Sequence, residues 1–159
     1  AVNQGMIVAR GDLISFFDAD GSYDPKFLLR AFTHLESSGS QAIFATRYHP
    51  ESGSDDDTPV RAIGNHLFTW LVQLLFSIRL SDILHLYVLA DRRLAQKLKI
   101  DSQDFSWCVE FPLRWHMAGF RYNELPMRER PRMAGISKVN AISDGIRILT
   151  SLAKWKFFL

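Results

Sequence analysis

The stretch ISFFDADGSYDP, Ile14 to Pro25, joins a short apolar run to two carboxylates and a proline. The run from Leu13 to Phe17 is followed by turn-forming residues, which is typical of a buried strand. After Pro25 apolar residues recur every three or four positions as far as Ser37-Ser38-Gly39, which predicts a helix. A second apolar run, Gln41 to Ala45, completes a strand–helix–strand unit. This order predicts an α/β fold with a mostly parallel sheet.

The rest of the chain continues this alternation of strands and helices. We expect strands at Leu84–Ala90 and Phe120–Leu125, and helices at 1–9, Val60–Leu80, Asp91–Leu98, Phe105–Ala118 and Val139–Phe158. Two segments, 47–59 and 126–138, have loop composition. No linker divides the chain, so we expect one domain over 1–138 followed by an amphipathic helix over 139–159.

Composition narrows the class of protein. The chain has 159 residues, 47% of them hydrophobic, which allows one domain with a real core. Residues 1–60 carry four basic and nine acidic side chains, whereas 61–159 carry fifteen and eight, so an anionic partner should meet the second part. The single cysteine, Cys108, excludes an intrachain disulfide framework, and its apolar surroundings predict a buried, inert thiol. No nucleic-acid-binding module is recognisable, and nothing clearly spans a bilayer.

Asp18 and Asp20 stand where the first strand is expected to end. Ligands of parallel sheets gather at the carboxyl ends of the strands, and side chains two apart on an extended chain share a side. Two carboxylates so placed suit Mg²⁺ or Mn²⁺, which take oxygen ligands. The alternative stays open, because the same residues form a good turn and Asp20 or Ser22 could cap the following helix.

The DADGSYDP segment also resembles the family 2 inverting glycosyltransferases of the GT-A fold, in particular their polyprenyl-phosphate branch, which is like dolichol-phosphate mannose synthase. Further landmarks of that family follow in the same order: Thr46-Arg47-Tyr48, Arg61 with Gly64-Asn65, Ser81-Asp82, Trp107 to Glu110, and RMAGISK from Arg132 to Lys138. The resemblance implies a Rossmann-like α/β fold. The family's first nucleotide-binding strands have no counterpart here, so we expect a partial, N-terminally truncated domain.

The resemblance also implies roles for individual residues. Asp18 and Asp20 would hold Mg²⁺ or Mn²⁺ on the diphosphate of a nucleotide-sugar donor, and Arg132 and Lys138 would close over the phosphates. The other expected contacts are Arg47 and Arg61 at an acceptor phosphate, and Ser22 and Glu110 at the substrate. The chain departs from the family at two places: Ser22 replaces a glutamine that contacts the metal, and Val88 replaces an arginine that Arg92 or Arg93 could supply.

The acceptor decides whether the reaction needs a base. A polyprenyl phosphate is already ionised near neutral pH, whereas a hydroxyl acceptor requires a carboxylate such as Asp82. The apolar helix at 60–80 and the segment 149–159 would either lie on a membrane or pack in the core. For the first case we expect a cytoplasmic protein peripheral to the inner face of the membrane. A non-catalytic scaffold of the same fold is the competing hypothesis.

Overall fold

Six helices and six strands form in residues 2–134 and 141–158, the part of the chain that the computed structural model describes. The helices are α1 Val2–Val8, α2 Lys26–Ser38, α3 Pro59–Phe76, α4 Arg92–Ala95, α5 Trp107–Met117 and α6 Ala141–Phe158. The strands are β1 Leu13–Phe16, β2 Ala42–Thr46, β3 Gly53–Ser54, β4 Val88–Asp91, β5 Tyr122–Pro126 and β6 Arg128–Glu129. Every predicted helix and strand is present, with ends shifted by a few residues.

The main sheet has four strands in the order β1-β4-β2-β5. β2 pairs with β5 in parallel, whereas β4 lies between β1 and β2 and is antiparallel to both, with Phe44 and Phe16 each opposite Val88. The α/β class is confirmed, but the sheet is mixed rather than mostly parallel. The crossover through α2 leaves space for one strand between β1 and β2, and β4 occupies that space antiparallel to both. A strand's apolar pattern carries no information about its direction.

The two segments predicted as plain loops contain a second, small sheet. Gly53 pairs with Arg128 and Ser54 with Glu129 in parallel, and the Asp55 amide donates to the Glu129 carbonyl at 2.9 Å. These strands are two residues long, too short to leave a periodic pattern in the sequence. The pairing ties the acidic segment after β2 to the arginine-rich segment after β5.

Helices cover both faces of the main sheet. Along β2, Ala42 and Phe44 join one apolar cluster while Ile43 and Ala45 join another, as the two-residue period of a strand requires. The first cluster includes buried residues of α5 and α6: Trp107, Cys108, Phe111, Leu113, Trp115, Ile148, Leu152 and Trp155. The second contains Phe27 and Ala31 of α2. The last helix, α6, therefore shares the core of the preceding residues.

Two sequence predictions concern single residues of this core and its edges. Cys108 is buried, which confirms the predicted burial; its thiol donates to the Phe105 carbonyl at 2.7 Å, and desolvation raises its pKa above the usual range. Gly39 ends α2 with a φ of 67°, a left-handed conformation that favours glycine.

None of the described helices combines the length and apolarity needed to cross a bilayer.

Candidate active site

A cavity of about 200 Å³ opens at the edge of the main sheet where β1, β2 and β5 end. Asp18 follows β1, Arg47 follows β2, and Glu129 follows β5 by three residues, so the three parallel-running strands each deliver a charged side chain. Arg61 of α3 and Arg132 add two more cations. The apolar side of the cavity consists of Val60, Phe68, Leu84, Phe105 and Ile148. The lining of the cavity thus combines charged and apolar side chains.

The segment from Asp18 to Ser22 is a turn, not an extension of β1, because the strand ends at Phe16. The Ser22 hydroxyl and amide donate to Asp20 Oδ1 at 2.6 and 3.0 Å. Gly21 has a φ of 84°, a left-handed conformation that favours glycine at this position. The two carboxylates are therefore not held in the extended geometry that the prediction assumed. Only Asp18 lines the cavity.

Asp18 and Asp20 nevertheless influence each other electrostatically. Desolvation raises the pKa of Asp18, and the negative charges of Asp20 and Glu129 raise it further. Partial burial opposes ionisation of Asp20 as well, but hydrogen bonds from Ser22 and the charge of Arg132 lower its pKa overall. Crowded carboxylates of this kind gain from a nearby cation.

The donor set fits a divalent metal with few protein ligands. No group of three or more His, Cys, Asp or Glu residues within 2–134 and 141–158 could hold a metal ion. Mg²⁺ is commonly bound through one or two carboxylates, with waters and substrate phosphates completing its shell. Asp18 and Asp20 supply that minimum, whereas Ser22 is buried and uses its hydroxyl on Asp20.

Arg132 lies between two carboxylates of different segments. Its guanidinium is 2.9 Å from Asp56 Oδ2 and 3.7 Å from Asp20 Oδ2, and its side chain is partly exposed. It therefore joins the turn after β1 to the acidic segment after β2, at the cavity wall. Lys138, the other residue expected over the phosphates, lies outside the described residues.

Arg47 and Asp82 form a buried pair beside the cavity. Arg47 Nε and Nη2 donate to the two Asp82 oxygens at 2.7 and 3.0 Å, and the Arg47 amide adds a third contact at 3.2 Å. Glu129 accepts from Arg47 Nη1 at 3.2 Å. Burial alone would raise the pKa of Asp82, but the Arg47 contacts lower it overall. A fully buried carboxylate with these partners holds an arginine in place; it does not offer itself to an acceptor proton.

The remaining predicted residues divide between the cavity and the core. Arg61 lines the cavity, as does Asn65 one turn later. Glu110 does not: it is fully buried in α5, where it accepts from the Asp101 and Ser102 amides at 3.1 and 2.8 Å. Its contacts fasten the preceding loop to the helix. Val88 is buried in β4, and Arg92 contacts Gln96 and the Gly11 carbonyl.

Sequence reasoning missed His85, a buried histidine on the cavity wall. Its Nε2 has no hydrogen-bond partner among the described residues. Desolvation is the main reason that its pKa is lowered to about 4, so the ring is neutral near pH 7. The available signal was a polar residue inside an otherwise apolar run, three positions after Asp82.

Comparison with known proteins gives distant relatives of one kind. The chain is 27% identical over 146 residues to glycosyltransferase AglD of Haloferax volcanii, covering 91% of this chain and 23% of the relative. It is also 27% identical over 156 residues to an uncharacterized glycosyltransferase of Mycobacterium tuberculosis, covering 98% of this chain and 69% of the relative.

Solved structures share the fold at low sequence identity. Glucosyl-3-phosphoglycerate synthase from Mycobacterium tuberculosis, in complex with Mn²⁺, UDP and phosphoglyceric acid, superposes with a TM-score of 0.70 at 13% identity. The match covers 99% of this chain and 53% of that one. The same synthase with Mg²⁺ and UDP gives a TM-score of 0.68 at 12% identity. The chain thus spans about half the length of these structures, and the likeness confirms the expected GT-A-type fold.

A family model decides the classification. The model described as glycosyl transferase family 2 matches residues 1–108 of the 159, which includes the DADGSYDP segment, Arg47 and Asp82. The match covers more than half of the chain. The chain therefore belongs to glycosyl transferase family 2.

Proposed function

We propose that the protein transfers a sugar from a nucleotide-sugar donor to a phosphate-bearing acceptor. The observation that carries the proposal is a single cavity lined by Asp18, Arg61 and Arg132 together with apolar side chains. An enzyme that releases a nucleoside diphosphate must offset the negative charge that builds on it. Cationic side chains and a metal-compatible carboxylate at the edge of an α/β sheet are suited to that task.

On the donor side, Asp18 and Asp20 would hold Mg²⁺ or Mn²⁺. The bound metal would offset the charge of the leaving diphosphate. Arg132 lies next to Asp20 and can offer its planar guanidinium to phosphate oxygens with two parallel hydrogen bonds. The related synthase was solved with UDP-glucose and Mn²⁺, which makes a uridine donor the first to test.

On the acceptor side we propose a polyprenyl phosphate. A phosphate monoester brings its own charged nucleophile, so the lack of an accessible base at Asp82 is no obstacle. Arg61 and Asn65 would contact the phosphate, and the apolar residues of the cavity would contact the first isoprene units of the polyprenyl group. A hydroxyl acceptor that depends on Asp82 as base fits this geometry poorly.

A small phosphorylated acid is the second candidate acceptor. The supporting observation is that structures with the same fold were solved with phosphoglyceric acid bound. Such an acceptor would use the arginine side chains of the cavity and leave its apolar residues without a role. The two candidates therefore differ in which side of the cavity matters.

The test is a transfer assay with UDP- and GDP-sugars, with and without Mn²⁺, offering polyprenyl phosphate and phosphoglycerate in separate reactions. We expect Mn²⁺-dependent transfer to the polyprenyl phosphate. Asp18→Asn and Asp20→Asn should each lower the rate by about a hundredfold or more. Asp12→Asn, an exposed carboxylate before β1, is the matched control and should leave the rate unchanged.

Each contrary outcome identifies a different error. Transfer to phosphoglycerate and not to polyprenyl phosphate would show that the acceptor is a small phosphorylated acid. Full activity in both Asp18→Asn and Asp20→Asn would remove the metal assignment. If the protein binds UDP and Mn²⁺ in a titration but transfers sugar to none of the acceptors, the non-catalytic scaffold is favoured.

A further inference from the structure

His85 brings an unsatisfied polar atom to the wall of the cavity. Only 5% of the residue is exposed, and its Nε2 has no hydrogen-bond partner among the described residues. Within 2–134 and 141–158 the other such buried atom is Ser15 Oγ, on β1, and Ser15 does not line this cavity. Buried polar groups of folded proteins are nearly always hydrogen-bonded, because leaving one unpaired costs stability. An unpaired group at a cavity wall therefore indicates a partner that enters the cavity.

Ring and backbone contacts hold His85 in place. Tyr23 lies edge-on to it, with ring centres 5.0 Å apart, and Tyr23 in turn stacks on Tyr87 at 4.9 Å. The segment just before His85 is tied to α3, because the Ile83 amide donates to Thr69 Oγ1 at 3.3 Å. The imidazole is thus preorganised, and a ligand could meet it without any rearrangement of the protein.

Charge indicates which kind of ligand atom suits His85. The charged groups that influence its ring are Asp82, Arg47 and Glu129, so two negative charges accompany one positive charge. Arg47 already donates from Nε and Nη2 to Asp82 and from Nη1 to Glu129. A phosphate placed beside His85 would therefore meet net negative charge, whereas an uncharged hydroxyl would not be repelled.

The chemistry of the ring favours a hydroxyl as well. The His85 imidazole is neutral near pH 7, so one ring nitrogen donates a hydrogen bond and the other accepts one. A hydroxyl both donates and accepts, so it can pair with Nε2 in either tautomer. A phosphate oxygen would instead be bound better by a cation such as Arg61 or Arg132, which line the same cavity.

The proposed donor would bring hydroxyls to this position. Asp18, which we propose to hold the metal at the diphosphate, lines the cavity together with Tyr23 and His85. Burial and then the negative charge of Asp18 raise the pKa of Tyr23, so the carboxylate lies near the aromatic pair. In a nucleotide sugar the sugar is joined directly to the second phosphate. Its hydroxyls therefore lie next to the groups that hold the diphosphate.

We infer that His85 hydrogen-bonds a hydroxyl of the sugar in the nucleotide-sugar donor and helps to select that sugar. The inference rests on the proposed transfer function and names a specificity-determining residue for it. A buried group that hydrogen-bonds a ligand hydroxyl discriminates against an analogue without that hydroxyl, because the group is then left unpaired.

The first test is calorimetry in the presence of Mn²⁺, with UDP-glucose compared with UDP, and GDP-mannose compared with GDP. His85→Leu removes both ring nitrogens. It should weaken binding of the sugar nucleotide by about tenfold, the size of one hydrogen bond, and leave the diphosphate unchanged. His85→Gln, whose amide can replace Nε2, should restore most of the affinity. His34→Leu is the matched control, a partly exposed histidine of α2 outside the cavity, and should bind like the unchanged protein.

Deoxy sugars identify the hydroxyl that pairs with His85. Removing that hydroxyl from the sugar nucleotide should weaken binding to the unchanged protein by about tenfold but hardly affect His85→Leu. Removing any other hydroxyl should affect the two proteins equally. A histidine that only packs in the fold would not produce this coupling. Circular dichroism checks that each variant is folded.

Three outcomes overturn the inference. His85→Leu could bind the sugar nucleotide as tightly as the unchanged protein does, which would mean that an ordered water satisfies Nε2. It could weaken the sugar nucleotide and the diphosphate alike, which would mean that His85 supports the shape of the cavity. Finally, no deoxy sugar could show the coupling. Failure of the proposed function is distinct, because it appears as binding without transfer to any acceptor; a protein that binds neither sugar nucleotide contradicts both proposals.

Discussion

Two arginines at the same cavity are held by carboxylates in opposite ways. Arg47 is buried, with both Asp82 oxygens and Glu129 as partners. Arg132 is partly exposed and forms ion pairs with two carboxylates, Asp56 at 2.9 Å and Asp20 at 3.7 Å. Removing one partner of a buried pair leaves an uncompensated charge, whereas a partly exposed pair can exchange its partner at a lower cost. We therefore expect Arg47 to stabilise the architecture of the site, and Arg132 to be the arginine that is free to exchange a carboxylate for the proposed ligand.

The largest effect is expected from Asp82→Ala, which leaves Arg47 buried without its main partner. The free energy of unfolding, measured by urea denaturation, should fall by about 3–5 kcal/mol. Asp55→Ala is the control, because it breaks an exposed pair with Arg128 and should leave the urea midpoint unchanged. A stable Asp82→Ala protein would mean that Arg47 has another way to be satisfied.

Arg132→Ala tests the opposite case. The urea midpoint should change little, whereas kcat/KM for the donor should fall by about a hundredfold if Arg132 contacts the diphosphate in the transition state. Arg128→Ala, in the exposed pair outside the cavity, is the matched control. A normal kcat/KM together with lost stability would reverse the two assignments.

Glu124, buried beside Ser81, makes the stability of the fold sensitive to pH. It accepts from the Ser81 amide at 2.8 Å, and desolvation raises its pKa from 4.5 to about 7. The folded protein therefore binds more protons than the unfolded chain between about pH 4.5 and 7. The free energy of unfolding contributed by Glu124 should decrease as pH rises through that window. Urea titrations across the window should show a flatter profile for Glu124→Gln, and an identical profile would contradict the raised pKa.

The smallest effect is expected from Asp56→Asn, which weakens the competitor for Arg132. UDP binding in the presence of Mn²⁺, measured by calorimetry, should tighten by about two- to fivefold, the range of an ion pair that solvent reaches. Asp55→Asn should leave it unchanged. Weaker binding in Asp56→Asn would show instead that Asp56 positions Arg132 for the ligand.

The sequence predicted well where the signal is local. The position of β1, the start of α2 near Pro25 and its end at Gly39 follow from apolar periodicity and turn chemistry over a few residues. The sequence predictions failed for elements of two residues and for features that depend on residues far apart along the chain. β3 and β6 are two-residue strands, and the direction of β4 depends on the path of the chain between α3 and β4.

The candidate site shows the same division. Asp18 and Arg132 were found because motif order placed them, and both lie at the cavity. Glu110 belongs to the same motif set but is fully buried in contacts with the preceding loop. Whether a carboxylate faces a cavity or the core depends on packing against other segments. His85 and Glu129 entered the site for that reason, with little sign in the sequence.

The sequence by itself determined the order of the six helices and the four longer strands, and the family. Those features depend on residues close along the chain. Only the tertiary structure decided which arginine meets which carboxylate, because Arg47 and Asp82 are 35 residues apart and Arg132 and Asp56 are 76 apart. Burial then separates the two pairs, since a charge sealed from water must keep its partner and one at a cavity wall can exchange it.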